Sequence, residues 1–204
     1  MAELIRLLLA DDQALIREAL AALLDLERDF DVVAQVGSGD AVLPAVAEYD
    51  PDVCLLDIEM PGLDGISACA QITSANPRTR VLVVTTFGRP GYLRRALEAG
   101  ASGFIVKDTP AAALIDAVRR VHQGLRVIDP DLAYDSLVEG VNPLTPREQE
   151  LLRMSLRGAA VVAMAAELHL SPGTVRNQLS AAIQKTGAVG RVGAARLAQD
   201  RGWL

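Results

Sequence analysis

Features that mark specialised classes of protein are scarce in this chain of 204 residues. There are only two cysteines, Cys54 and Cys69, and they lack the spacing of metal ligands. We therefore expect both to be buried apolar residues in a reducing compartment. The two histidines, His122 and His169, have no candidate partner nearby in the sequence, and we expect both to be ordinary surface or interface residues. Neither a disulfide framework nor a zinc site is indicated.

Long apolar runs are also missing. No stretch of the sequence has the length and apolar character needed to span a bilayer. The first residues lead directly into an apolar run that begins at Ile5, which leaves no room for a signal peptide. We expect a cytoplasmic protein with no membrane contact.

Lysine is rare, and the charges are unevenly distributed. The chain holds 18 arginines but only two lysines, Lys107 and Lys185. Residues 1–124 carry 11 basic and 18 acidic residues, whereas residues 143–204 carry 8 basic and 4 acidic ones. An acidic first part and a basic last part predict two domains, and the basic one is a candidate for binding nucleic acid.

Four short apolar runs organise the first part of the chain, and each is followed by a polar residue. The runs are residues 5–10, 53–56, 81–84 and 104–106. Continuous Val/Ile/Leu runs are typical of parallel strands buried on both faces. Because ligands bind at the carboxyl ends of such strands, we expect Asp11, Asp12, Asp57, Thr85 and Lys107 to converge at one edge of a sheet.

Strand and helix patterns alternate five times up to residue 124. Residues 13–27, for example, show apolar residues at the spacing of a helix, and Gly100 follows another predicted helix as a stop signal. Five repeats with right-handed connections predict an α/β fold with a doubly wound, five-stranded parallel sheet over residues 1–124.

The remaining chain divides into a linker and a helical domain. Residues 125–142 hold two acidic clusters and a proline, and predict a linker with a short helix near residues 132–138. In residues 143–204, Thr145 to Glu148 form a capping-box pattern. Two further predicted helices, residues 160–168 and 174–186, flank a turn and indicate a helix-turn-helix in a small all-α domain.

The polar residues at the predicted sheet edge suit phosphoryl chemistry. Three clustered carboxylates repel one another unless a cation joins them, and hard oxygen ligands suit Mg²⁺. Asp57 could then act as a nucleophile that forms an acyl phosphate. Lys107 offers a point charge to a phosphoryl oxygen, and Thr85 offers a hydrogen bond.

Four motifs make the chain similar to a known family. They are LLLADDQ with Asp11 and Asp12, LLDIEMPGLDG with Asp57, VVTTF with Thr85, and GFIVKD with Lys107. Together with LTPREQELL and LSPGTVRNQLS, they resemble bacterial response regulators of the NarL/FixJ type. The resemblance implies a flavodoxin-like receiver domain joined to a LuxR-type helix-turn-helix domain and covers essentially the whole chain.

The resemblance also implies roles for individual residues of the first domain. Asp57 would accept phosphate from a sensor histidine kinase, so the protein would be a regulator and not an enzyme. Asp12 and Asp57 would bind Mg²⁺ directly, Asp11 through water, and Glu59 through its main-chain carbonyl. On phosphorylation, Thr85 would move inward and Phe104 would rotate as a switch aromatic.

In the second domain, the resemblance makes residues 174–186 the recognition helix. Arg176, Asn177 and Ser180 would face the bases of double-stranded DNA, while Thr174 and Lys185 would contact backbone phosphates. Phosphorylation would favour a homodimer that binds a near-palindromic operator with half-sites about one helical turn apart. RNA polymerase is a further candidate partner.

Three departures from the family pattern keep a second function open. The segment Ala159–Ala166 reads AAVVAMAA, and glycine stands at positions 190 and 193 near the start of the last helix. An exposed apolar helix face could serve protein contact, so a regulator that acts through a protein partner with weakened DNA binding is an alternative. An aspartate-nucleophile phosphohydrolase is a weaker one, because its signature would place a second Asp at position 59, where this chain has Glu59.

Overall fold

The structure of the protein is a computed structural model, which describes residues 4–86, 88, 90–129, 132–133 and 142–204. The chain forms two compact units, with the main division after residue 134. The described strands and α-helices that lie wholly or mainly in the first unit are β1 Ile5–Ala10, α1 Ala14–Leu24, β2 Phe30–Val36, α2 Val42–Tyr49, β3 Val53–Leu56, α3 Gly65–Ala75, β4 Arg80–Thr85, α4 Pro90–Glu98, β5 Gly103–Val106, α5 Ala111–His122 and β6 Val127–Ile128.

The strands of the first unit form one parallel sheet in the order β2-β1-β3-β4-β5-β6. The predicted doubly wound α/β fold is confirmed, but the sheet has six strands where five were predicted. The additional strand, β6, lies in the segment predicted as a linker and pairs with Gly103 and Phe104 of β5. A strand of two residues is too short to produce a recognisable pattern, and only the backbone of β5 defines it.

Alternation along the strands builds a core on each face of the sheet. Leu7 and Leu9 of β1 pack with Leu24 of α1 and Val118 of α5 on one face. Leu8 of β1 points to the opposite face because side chains alternate along a strand, and it is as fully buried as Leu7. Burial on both faces explains why these strands are continuous apolar runs.

The remaining predictions for this unit concern single residues. Cys54 and Cys69 are buried and free, as predicted, and His122 is exposed. Of the short helix predicted near residues 132–138, only Leu132 and Ala133 are among the described residues, and the rest of that prediction lies outside them.

The described residues of the second unit from Asn142 onward form four helices: α6 Pro146–Leu156, α7 Val161–Glu167, α8 Pro172–Thr186 and α9 Gly190–Asp200. The predicted capping box is present: Thr145 Oγ1 accepts from Glu148 N at 3.3 Å, and Glu148 Oε2 accepts from Thr145 N at 2.7 Å. Leu151, Met164 and Val175 meet in its core. Helices α7 and α8 form the predicted helix-turn-helix.

Two glycines in α9 depart from the family pattern, and the structure explains one of them. Gly190 has a φ of +72°, a backbone conformation that glycine adopts without the steric cost other residues incur. Gly193 has no such constraint, since the nearest atom to a Cβ built there is 3.9 Å away. Among the described residues of the whole chain, no helix combines the length and apolar character required to cross a membrane.

Candidate functional site

The adjacent strands β1, β3, β4 and β5 bring the predicted site residues to one edge of the sheet. Asp11 and Asp57 directly follow β1 and β3, Thr85 ends β4, and Lys107 directly follows β5. Main-chain hydrogen bonds continue the strand pairing into the site: Asp57 N donates to Ala10 O at 2.9 Å, and Lys107 N donates to Thr85 O at 2.8 Å. The positions of these residues therefore follow from the parallel register of the sheet.

Three carboxylates form the centre of this edge. One oxygen from each of Asp11, Asp12 and Asp57 lies within 4.8 Å of the other two. Asp11 and Asp57 are buried, at 4% exposure each, whereas Asp12 is exposed. A cavity of about 200 Å³ opens beside them and is lined by Asp12, Gln13, Asp57, Glu59, Thr85 and Thr86. Clustered carboxylate oxygens beside an open, polar space are a donor set that suits a hard divalent cation such as Mg²⁺.

Lys107 is the cation that the structure itself places among these carboxylates. Its Nζ lies 2.6 Å from Asp11 Oδ2 and 3.0 Å from Asp57 Oδ2. Burial favours the neutral amine, but the hydrogen bonds and charges of Asp11 and Asp57 outweigh burial and raise the pKa of Lys107. The ammonium therefore persists at neutral pH and partly offsets the charge of the cluster.

Hydrogen bonds hold the Asp57 carboxylate in place, but its negative charge is electrostatically unfavourable at this buried position. Its Oδ1 accepts from Ile58 N at 2.7 Å, while Oδ2 accepts from Lys107. Burial raises the pKa of Asp57, the charge of Asp11 adds to the rise, and Lys107 opposes it. A further cation beside this buried carboxylate would therefore be stabilising, and its oxygens are those of a candidate nucleophile for acyl phosphate formation.

Thr85 and Phe104 are both buried, at 1% and 0% exposure. Thr85 lines the cavity beside Asp57, which places it where the prediction requires. Phe104 belongs to β5, where it pairs with Val83 and Ile128. Because Phe104 is already fully inside the protein, its rotation on phosphorylation stays a prediction.

The predicted DNA contacts of α8 differ in their surroundings. Arg176, Asn177 and Ser180 are exposed, whereas Val175 and Leu179 of the same helix are buried. Thr174 is half-buried, and its side chain shares a 2.9 Å hydrogen bond with Ser171, the N-cap of α8. All four lie at or near the N-terminal half of the helix, as the helix-turn-helix arrangement requires.

Lys185 has a partner that the sequence did not reveal. Its Nζ lies 2.9 and 2.7 Å from the two carboxylate oxygens of Glu148 on α6. Burial opposes the charged form of Glu148, but the hydrogen bonds from Lys185 and Thr145 outweigh it and lower the pKa. Lys185 thus joins α8 to α6, and its contact with DNA phosphate stays a prediction.

Two further residues support the acidic site without having been predicted. Arg17 of α1 donates from Nη1 to the main-chain oxygen of Asp11 at 2.5 Å. A Cβ on Gly65 would lie 1.9 Å from the main-chain oxygen of Asp57, so only glycine lets α3 begin this close to the site. Neither residue had a distinguishing signal, because a single Arg on an amphipathic helix and a Gly at a helix start are both common.

Comparison with known proteins identifies both units. The response regulator receiver domain matches residues 7–119, and the luxR family of bacterial regulatory proteins matches residues 142–198. The chain therefore belongs to the bacterial two-component response regulators that carry a LuxR-type helix-turn-helix, and it regulates transcription. This outcome confirms the resemblance found in the sequence.

Individual relatives match along nearly the full chain. The chain is 42% identical over 201 residues to the "Uncharacterized transcriptional regulatory protein YvfU" of Bacillus subtilis, covering 98% of this chain and 100% of that protein. It is 38% identical over 201 residues to the transcriptional regulatory protein DesR of Bacillus subtilis, with the same coverage. It is 39% identical over 209 residues to the response regulator RamR of Streptomyces coelicolor, covering 100% of both chains.

Solved structures agree with the fold. The response regulator ChrA of a heme-sensing two-component system superposes with a TM-score of 0.60 at 31% identity, covering 100% of both chains. The response regulator RcsB in complex with DNA superposes with a TM-score of 0.68, covering 97% of this chain and 99% of that one. Because the identity to RcsB is only 23%, this similarity supports the fold alone.

Proposed function

We propose that a sensor histidine kinase phosphorylates Asp57 and that the phosphorylated protein dimerises and binds specific DNA sites. The observation that carries the proposal is the buried Asp57 carboxylate, 3.0 Å from Lys107 and clustered with two further aspartates. In the transfer, an Asp57 oxygen attacks phosphorus, the bond from phosphorus to the kinase histidine nitrogen breaks, and the nitrogen keeps the electron pair.

Mg²⁺ is the cofactor that these residues suit. Asp12 and Asp57 would bind it with carboxylate oxygens, Glu59 with its main-chain carbonyl, and Asp11 through water. When bound, Mg²⁺ would offset the charge of the carboxylates and of an incoming phosphoryl group. The support lies in the 4.8 Å clustering of the three aspartates and in the cavity that Asp12, Asp57 and Glu59 line.

Lys107, Thr85 and Phe104 would convert phosphorylation into a change of the receiver surface. The Lys107 ammonium lies close enough to Asp57 to bind a phosphoryl oxygen on it. Thr85 lines the same cavity and would donate its hydroxyl to another phosphoryl oxygen. A shift of Thr85 would alter the packing around the neighbouring β5, where Phe104 lies, and so bias a two-state element.

The second domain would bind double-stranded DNA through α8. The exposed side chains of Arg176, Asn177 and Ser180 can read base edges in the major groove, with Arg suited to guanine and Asn to adenine. Thr174 and Lys185 would contact phosphates and so position the helix. A dimer places two such helices on half-sites about one helical turn apart, and it gains affinity because its second half binds intramolecularly.

The test combines three measurements on the full chain, with and without a small-molecule phosphodonor and Mg²⁺. Intact-mass spectrometry should show addition of one phosphoryl group, sedimentation should show a dimer, and a library of duplexes should yield a near-palindromic site. Asp57→Ala should lose all three responses, whereas Asp31→Ala, at an exposed carboxylate, should retain them. A full response in Asp57→Ala would overturn the proposal.

A regulator that acts by protein contact is the second candidate. The exposed side of α7 presents Val162, Ala163 and Ala166, its N-cap Ala160 is exposed as well, and Val162 is 67% exposed. Binding to a specific duplex that weakens steeply with salt would argue against this candidate, because phosphate contacts release counterions. A phosphorylated dimer that selects no duplex even at low salt would favour it.

A further inference from the structure

We infer that Arg17 is a positioning residue for the candidate Mg²⁺ site: it holds the peptide between Asp11 and Asp12 so that Asp12 faces the cation. This inference rests on the proposed function of the acidic cluster. It adds a residue from α1 whose side chain contributes no ligand atom.

The surroundings of Asp12 show why such a residue is needed. Asp12 is exposed, and within the described part of the chain its carboxylate has no hydrogen bond or ion pair. Asp11, by contrast, is held through Lys107 and through the main-chain N–H of Gln13, which donates to Asp11 Oδ1 at 2.9 Å. The direction of the Asp12 side chain therefore depends on how its own backbone is held.

Two hydrogen bonds hold that backbone. Asp11 N donates to Val36 O of β2 at 3.1 Å, and Arg17 Nη1 donates to Asp11 O at 2.5 Å. This oxygen belongs to the planar peptide group that joins Asp11 to Asp12. The orientation of the oxygen therefore also sets the orientation of the main-chain nitrogen of Asp12. Loss of the Arg17 contact frees this peptide to rotate and carries the Asp12 carboxylate with it.

The arginine has no competing role in the described residues. Arg17 is half-buried, and its guanidinium lies within 4.0 Å of no described carboxylate oxygen. A cation that bonds a main-chain oxygen instead of a carboxylate orients the loop without neutralising the cluster, which leaves the negative charge available for a metal.

Gly37 shapes the space that the guanidinium occupies. A Cβ built on Gly37 would lie 3.2 Å from Arg17 Nη1 and 4.0 Å from Asp11 O. A methyl group here would push the end of the arginine side chain by a few tenths of an ångström. Gly37→Ala should therefore weaken the same contact to a smaller degree than removal of the guanidinium.

The test measures Mg²⁺ binding itself, by titration of the full chain with Mg²⁺ while the amide signal of Gln13 is followed by NMR. We expect the Mg²⁺ dissociation constant to rise about tenfold in Arg17→Met, in line with other residues that orient metal ligands, and less in Gly37→Ala. Arg28→Met removes an equal charge from an exposed residue beyond the far end of α1 and should leave the constant unchanged.

The sign of the change separates positioning from simple electrostatics. Removal of a positive charge near the cluster would by itself tighten cation binding, so an unchanged or lower dissociation constant in Arg17→Met would overturn the inference. Thermal unfolding confirms that each variant is folded during the titration. If the parent protein binds no Mg²⁺ or forms no acyl phosphate at Asp57, the proposed function fails first, and the two failures remain distinguishable.

Discussion

The acidic edge of the receiver sheet and the outer face of α8 are two functional surfaces built on opposite principles. At the acidic edge, Asp11 and Asp57 are buried, the half-buried Lys107 pairs with both, and main-chain hydrogen bonds hold all three in place. On α8, Arg176 and Asn177 are exposed and make no side-chain hydrogen bond or ion pair with the described part of the chain.

This difference decides what a substitution does. At the acidic edge, each residue takes part in the electrostatic balance of the fold as well as in the proposed chemistry, so a change affects stability and function together. On α8, the exposed residues can change with little effect on folding. Function at the first surface is therefore constrained by packing, and at the second only by the partner that it binds.

The largest expected effect is at Lys107. Lys107→Met leaves buried Asp11 and Asp57 without their cation and should lower the free energy of unfolding of the first domain by about 3 kcal/mol, because unpaired buried charges are costly. Mg²⁺ should restore part of the loss. Denaturant unfolding with and without Mg²⁺ measures both effects.

Arg120→Met is the control for this change, since its ion pair with Asp116 spans 3.7 Å and is well exposed. Its unfolding free energy should change by about 0.5 kcal/mol or less. Equal losses of unfolding free energy in the two variants would show that the ion pairs of the acidic edge stabilise the fold no more than an exposed pair does.

The next effect is at Glu148, a buried carboxylate of the second domain that is paired with a lysine as Asp11 and Asp57 are. Glu148→Gln weakens the capping box and the contacts with Lys185, and should lower the free energy of unfolding of this domain by about 2 kcal/mol. Trp203, the single tryptophan of the chain and buried in this domain, reports the transition by fluorescence. Glu150→Gln, which breaks only an exposed pair with Arg147, should cost far less.

The same residue predicts a dependence on pH. Because the pKa of Glu148 is lowered in the folded domain, its stabilising contribution is present above the unfolded pKa of 4.5 and disappears as the pH falls through the folded pKa. The difference in stability between the parent and Glu148→Gln should therefore shrink in acid, as Trp203 fluorescence would show. A constant difference would mean that the carboxylate charge is not involved.

A change on the outer face of α8 should separate binding from folding. Arg176→Ala should weaken specific duplex binding roughly tenfold, as expected for loss of a base contact, and leave the unfolding free energy unchanged within about 0.5 kcal/mol. Arg28→Ala serves as the charge-matched control in the first domain. Equal binding of both variants would remove Arg176 from the recognition surface.

The smallest effects concern the glycines of α9. Gly193→Ala should stabilise the second domain by about 0.5–1 kcal/mol, since alanine is the better helix former and the position has room for a methyl group. Gly190→Ala should destabilise it by about 1 kcal/mol, because φ is +72° there. Thermal unfolding of both variants tests whether the two departures from the family pattern have different causes.

The predictions made from the sequence agree best with the structure where a pattern, such as an apolar run followed by a polar residue, recurs along the chain. The apolar runs before Asp57 and Lys107 made the strands recognisable, and parallel strands bring such residues to one edge. The two-residue strand β6 was missed because no periodicity exists over two residues. The Lys185–Glu148 pair was missed because 37 residues separate its members, and each is an ordinary charge on a helix when considered alone.

The sequence by itself determined the two domains, the doubly wound sheet, the helix-turn-helix and the identity of the residues at the acidic edge. It could do so because strand burial, helix periodicity and capping are local patterns with fixed spacing. Only the tertiary structure decided that Lys107 bridges Asp11 and Asp57, that Lys185 binds Glu148, and that Arg17 holds the peptide before Asp12. These contacts depend on distances between elements remote in the chain, which packing sets and local pattern does not encode.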